Sequence, residues 1–140
     1  MSKVYIISVF AENKPGRLER ITKVLAEANI NILAFSITST NGFGIIKFMV
    51  DRCKEAYQLL KDKGFTASLN EAIGIEMKDQ PGGLYEVVKT LSSKGINIES
   101  AAVYVAETRK KAYLIVEVED TQKAMESLKG ENLKFLESTE

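Results

Sequence analysis

Histidine and tryptophan are missing from this 140-residue chain, cysteine occurs once and proline twice. Without an imidazole there is no Ser-His or Cys-His nucleophile pair, no histidine base near neutral pH and no histidine-ligated zinc. A single thiol, Cys53, forms neither an intramolecular disulfide nor a thiolate metal site, and it reads as a small filler near a helix start in a reducing compartment. Charge of one sign is lacking too: 19 Lys and Arg offset 19 Asp and Glu. A balanced chain has no broad electrostatic footprint for nucleic acid or an anionic membrane. No apolar run reaches the length of a membrane span, and the opening Met-Ser-Lys-Val lacks the layout of a signal peptide, so the expectation is a soluble, cytoplasmic protein.

What the chain does contain, it contains twice. NKPGRLERITKVLAEANINI, from Asn13 to Ile32, is echoed by DQPGGLYEVVKTLSSKGINI, from Asp79 to Ile98. The offset is constant: 81 − 15 for the prolines, 84 − 18 for the leucines and 97 − 31 for the asparagines all give 66. A fixed offset marks an internal repeat, with boundaries at 1–70 and 71–140. Units of roughly 70 residues are marginal alone, so the halves are expected to pack on each other and to be held rigidly side by side, because Asn70-Glu71 is too short for a free linker.

Each half follows one order. Lys3–Ala11 is rich in β-branched and aromatic residues and reads as an interior strand. Pro15 suits the first turn of a helix, and Leu18, Ile21, Leu25 and Ala28 recur at helical spacing. From Asn31 the period switches to two, Asn41-Gly42 signals a tight hairpin and Phe43–Asp51 returns. Arg52–Lys63 fits a second helix stopped by Gly64, and Phe65–Leu69 a closing strand. The second half repeats this as Ala72–Lys78, Pro81–Lys94, Asn97–Glu107, Lys111–Glu119, Thr121–Lys129 and Leu133–Leu136, with Asp120 or Thr121 as cap of the last helix.

Strand-helix-strand twice over, under the right-handed crossover rule, folds into a four-stranded antiparallel sheet with both helices on one face. The fold class is therefore α+β, two tandem ferredoxin-like βαββαβ sandwiches. The run Ala101–Val105 is almost without polar interruption, and an open face that is apolar needs a second layer, which predicts a homodimer or higher homo-oligomer.

Gly16 and Gly82 follow proline where strand turns into helix, where the first amides carry partial positive charge suited to a carboxylate. Asn13 and Asp79 stand just ahead, placed to cap the helix or to accept from an ammonium group. Asn31 and Asn97 open the strand at the opposite end of each helix. This pattern, Asn/Asp-x-Pro-Gly-x-Leu, then an apolar-striped helix and Ile-Asn-Ile, resembles the ACT domain in both halves and over nearly the whole chain.

The resemblance implies regulation through small-molecule binding, the ligand being a free amino acid held between modules. The family's contacts map to Asn13, Gly16, Arg17, Leu18, Asn31 and Ile32 in the first copy. In the second they map to Asp79, Gly82, Gly83, Leu84, Asn97 and Ile98. Asn13 replaces the acidic residue often found ahead of Pro-Gly, so the expectation favours the Asp79 turn for a zwitterion. No catalytic residue, cofactor or metal is implied, and the chain resembles tandem ACT proteins acting as allosteric sensors. The same resemblance admits a regulatory subunit of a separate enzyme of amino-acid metabolism, such as the small subunit of acetolactate synthase.

Two other readings have less behind them. An enzyme could draft Lys14, Arg17 or Tyr85, but no paired carboxylates, nucleophile with base or phosphate-cradling loop stands near them. An RNA-binding sheet needs exposed aromatics among basic residues on its central strands, whereas Tyr5, Phe10 and Tyr104 are scattered in neutral surroundings. A metal chaperone of this fold would carry Cys-x-x-Cys in its first turn, and that motif is absent.

Overall fold

A computed structural model of the chain describes residues 4–136. Contacts divide it into two compact units, Tyr5–Asn70 and the residues from Glu71 onward together with Val4.

The first unit runs β1 (Val4–Glu12), α1 (Arg17–Glu27), β2 (Ile32–Thr40), β3 (Phe43–Val50), α2 (Cys53–Asp62) and the opening of β4 (Thr66–Lys78). Its strands lie in the order β2-β3-β1-β4, and β1 and β2 both pair antiparallel with β3, Ile7 opposite Phe48 and Ile37 opposite Ile46. That is the ferredoxin-like order. The apolar stripe of α1 buries Ile21 and Leu25, and α2 buries Cys53, Ala56 and Leu60. Both helices meet the same sheet face, where Ile7, Val9, Ile46, Phe48 and Val50 form the core. Fully burying one such side chain contributes about 1.5–3 kcal/mol.

The second unit takes the rest of β4, then α3 (Gly83–Ser93), β5 (Ser100–Glu107), β6 (Lys111–Glu117) and α4 (Thr121–Ser127). β6 lies between β4 and β5, antiparallel to both. Ile73, Ile75, Leu114 and Val116 of the sheet pack on Val87 and Leu91 of α3 and Ala124, Met125 and Leu128 at α4. Asp120 caps α4, its carboxylate accepting from the Lys123 amide at 3.0 Å.

Several boundaries differ from the sequence reading. The expected strands Phe65–Leu69 and Ala72–Lys78 are one continuous strand, because Asn70-Glu71 is compatible with extended backbone and offers neither Gly nor Pro to break it. The expected strand Leu133–Leu136 is reduced to a bridge between Phe135 and Ile75, flanked by Glu76 N–H to Lys134 C=O and Leu136 N–H to Gly74 C=O, each 2.7 Å. β5 starts at Ser100 rather than Asn97. Both Pro-Gly pairs stand in turns ahead of their helices, since Gly16 and Gly82 adopt φ of 91° and 84°, a left-handed conformation no α-helix continues through.

The sheet face turned away from the helices also differs between units. In the first, Phe10 stands opposite Ile45 and Glu12 opposite Phe43, and Phe10, Ile45 and Phe43 are 45%, 40% and 67% exposed. In the second, the corresponding places hold Glu76, Tyr113 and Lys111, joined by a 3.0 Å ion pair between Glu76 and Lys111. The Ala101–Val105 run divides by register: Val103 faces the helix side with Leu114, and Tyr104 stacks on Tyr113 on the other.

Candidate ligand-binding site

The first Pro-Gly turn is built on backbone bonds. The Asn13 amide donates to the Gly42 carbonyl at the hairpin tip at 2.7 Å, and the Arg17 amide to Lys14 C=O at 3.2 Å. Gly16 is the N-cap of α1 with no side-chain cap, so Asn13 does not cap this helix. A Cβ on Gly16 would meet nothing within 4 Å; glycine is required there for its positive φ, and the turn's outer surface is open. Helix geometry leaves the Leu18 and Glu19 amides without intrahelical acceptors. Their partial positive charge adds to that of the Arg17 guanidinium at the same helix start.

Beneath this turn lies a cavity of about 380 Å³. The stretch Asn13–Arg17 forms its upper wall, and its floor is apolar: Ala11, Leu18, Ile37, Gly44 and Ile46. Ala11 and Gly44 are cross-strand partners, so a methyl faces a hydrogen and space is left between strand ends and helix start. A Cβ on Gly44 would lie 3.6 Å from Ala11 C=O and 3.8 Å from the Asn13 Cβ, inside the cavity but in ordinary contact. At the rim Lys14 Nζ pairs with Glu12 Oε2 at 2.6 Å. That hydrogen bond, and then the charge of Lys14, hold the Glu12 carboxyl below the usual carboxylate range.

The second turn repeats the backbone scheme with different side chains. Asp79 N–H reaches Lys110 C=O at 3.3 Å and Gly83 N–H reaches Gln80 C=O at 3.0 Å. Asp79 does not cap α3; its Oδ2 accepts from the Arg109 amide at 2.6 Å, tying the carboxylate to the β5-β6 hairpin. Gly83, expected among the ligand contacts, is buried, and a Cβ there would collide with the Lys78 carbonyl. Gly82 is open, like Gly16, and Leu84 is 45% exposed.

Asn31 and Ile32 lie at the far end of α1, roughly 16 Å from the turn at 1.5 Å per residue. The Asn31 amide donates to Asp51 Oδ1 at 2.9 Å and its carbonyl accepts from the Asp51 amide at 3.1 Å, a link that fastens the start of β2 to the end of β3. Ile32 joins the core. Asn97 and Ile98 line a shallow depression with Val88, Leu91 and Ile96 at the end of α3, and Asn97 also borders a cavity of about 820 Å³ with Lys94, Glu99 and Asp120. Within one unit, then, the turn residues and the asparagine residues do not meet.

Sequence reading missed the cavity floor. Part of the signal was present, since a glycine inside a strand, Gly44, marks a close approach or a gap; its pairing with Ala11 comes from the β1-β3 register, which no local stretch announces.

Comparison with known proteins places this architecture. The family described as an ACT domain pair matches residues 2–140. The chain belongs to that family. Among solved structures, protein BT0572 from Bacteroides thetaiotaomicron is similar at 34% identity, TM-score 0.85, over 96% of this chain and 92% of that one. The ligand-free regulatory subunit of aspartate kinase from Thermus thermophilus shares the fold at 18% identity, TM-score 0.65, over 91% of each chain. A UPF0237 protein of Methanosarcina mazei is 29% identical over 79 residues, 56% of this chain and 86% of that protein. Among the described residues of this ACT pair no helix is long and apolar enough to cross a membrane, and no group of three or more His, Cys, Asp or Glu could hold a metal ion.

Proposed function

We propose that this ACT pair is a regulatory protein without catalytic activity that binds a free amino acid and acts as an allosteric sensor. The observation behind this reading is the cavity under the Pro-Gly turn, which sets a cationic Arg17 and unpaired helix-start amides over an apolar floor. Its volume falls within the ~300–1,000 Å³ of small-molecule sites. A ligand bound more tightly in one assembled geometry than in another shifts the balance between them, with a coupling of about 1–3 kcal/mol.

The exposed Phe10, Phe43 and Ile45 support self-association through the first unit's open face. Thermal denaturation with each of the twenty amino acids tests the binding, because a ligand of the native state alone raises the melting temperature in a concentration-dependent way. No shift with any of them would sink the proposal.

A second reading is a regulatory subunit of a separate enzyme of amino-acid metabolism, acetolactate synthase or another. It is favoured by the aspartate kinase regulatory subunit, whose extent this chain matches over 91%. Stoichiometric co-purification of a larger enzyme from native extract would support it, and its absence would leave the independent sensor.

A further inference from the structure

The two copies of the Pro-Gly turn are related by one offset, yet only the first has the residues for an open site. Ala11 corresponds to Met77 (11 + 66 = 77), and their cross-strand partners Gly44 and Ala112 correspond through the sheet register. Where the first unit has a methyl opposite a hydrogen, the second has a thioether chain opposite a methyl. Ala112 is fully buried and Met77 packs on the second unit's core. Above this floor, Arg17 corresponds to Gly83, whose Cα sits on the Lys78 carbonyl with no room for a Cβ. The helix start is therefore lowered onto the strand end in the second copy, and its cation is gone. Asp79, the one acidic residue ahead of a Pro-Gly pair, already accepts from the Arg109 amide.

We infer that the chain binds one ligand, not two, in the cavity of the first copy, and that the ligand is an α-amino acid with an aliphatic side chain. This rests on the amino-acid reading above. The carboxylate is held by Arg17 and the Leu18 amide, both residues of the cavity lining, a charge-assisted arrangement at a helix start. The side chain lies on the apolar floor of Ala11, Ile37, Gly44 and Ile46, while the charged Glu12 and Lys14 of the same lining are already paired with each other. Ala11 and Gly44 set how large a side chain enters.

The test is isothermal titration of the full chain with L-alanine, L-valine, L-leucine and L-isoleucine, with L-aspartate and L-lysine as polar controls, repeated on Ala11→Met, Gly44→Ala, Arg17→Gln and Asp79→Asn. One aliphatic ligand per chain is expected. Ala11→Met weakens it by about 10-fold or more, as extra methylenes in a filled space do. Gly44→Ala, whose added methyl meets its neighbours only at ordinary contact distance, keeps the fold and still weakens binding. Loss of the guanidinium in Arg17→Gln costs about 10-fold, and Asp79→Asn leaves the affinity unchanged.

Two ligands per chain, or one that ignores Ala11→Met and Gly44→Ala but is lost in Asp79→Asn, would overturn the assignment to the first copy while the sensor reading stands. Binding of L-aspartate or L-lysine in preference to the aliphatic set would overturn the ligand class. Silence from all six would remove the assignment; a melting shift with some other amino acid would still preserve the broader reading.

Discussion

The two units share a fold order and a core pattern and differ where strand turns into helix. Ile21, Leu25, Val9 and Ile46 of the first occupy the places of Val87, Leu91, Ile75 and Leu114 of the second, and all eight are buried. At the turns the correspondence fails: Ala11 and Met77, Asn13 and Asp79, Arg17 and Gly83 are pairs of unlike chemistry. Core positions are constrained by volume and by the sheet, which a duplicated fold retains whatever each copy binds. Surface turns and the open sheet face are freer to change than the core, and it is at the turns, at the strand ends beneath them and on that face that the two copies carry unlike residues.

If the cores are equivalent, truncating matched leucines breaks both alike. Leu25→Ala and Leu91→Ala are each expected to cost about 2–5 kcal/mol, the range for a buried leucine that leaves a cavity. Both are at most 1% exposed. Chemical denaturation measures the two losses, and a markedly milder effect at Leu91 would mean that the second unit is the looser one.

The next contrast lies at the helix starts. Gly83→Ala drives a Cβ into the Lys78 backbone, which cannot swing aside as a flexible side chain does, and a loss of about 1–3 kcal/mol is expected from the overpacking. Arg17→Ala is at a half-buried position and removes only the weakest of the attractions that lower the Glu12 carboxyl, and a change of this sort is expected to stay within about 0.5 kcal/mol. Equal tolerance at the two positions would contradict the lowered helix start in the second copy.

Asp79 and Asn13 sharpen the same comparison at smaller scale. Asp79→Ala removes a carboxylate bond to the Arg109 amide, and Arg109 sits at φ 63°, a conformation an ordinary side chain adopts at a cost. The expected loss is about 1 kcal/mol. Asn13 is anchored by its backbone amide, so Asn13→Ala is expected to leave the melting temperature nearly unchanged. A reversed order would show that the first hairpin depends on the asparagine side chain instead.

How far these features could be read in advance follows from their range along the chain. The helix stripes, the Asn41-Gly42 hairpin and the repeat are local or periodic, and they led directly to the fold. Continuity of β4 was hidden because Asn70-Glu71 looks like a boundary on composition alone while its backbone pairs as strand. The Pro-Gly turn was legible as a turn, but its glycines were read as sites of close approach. The structure makes Gly16 and Gly82 conformational and Gly83 the steric one. The cavity floor comes from β1, β2, β3 and α1 together, a convergence set by register rather than by any stretch of the chain. Likewise the apolar open face, sought in Ala101–Val105, lies with Phe10, Phe43 and Ile45, because the second unit places a charged pair at the matching register.

The smallest contrast is electrostatic and has opposite signs in the two units. In the first, the Lys14 hydrogen bond and charge lower the Glu12 carboxyl; in the second, the hydrogen bond from Lys111 to Glu76, with help from Tyr113, raises the Lys111 ammonium above the usual lysine range. A lowered carboxyl contributes stability that is present above its unfolded pKa and fades as pH falls through the folded one. A raised ammonium contributes stability that is present below its unfolded pKa and fades as pH rises through the folded one. Acid therefore weakens the first unit's pair and alkali the second's, while both hold at neutral pH. The Lys14–Glu12 pair is exposed and the Lys111–Glu76 pair partly so, so 1 M salt, with a screening length of about 3 Å, is expected to suppress the first effect more fully than the second. Carboxyl NMR titration of Glu12 checks the acid side: Lys14→Met should move its midpoint upward at low salt, whereas an unmoved midpoint would show that Lys14 is not what holds it down.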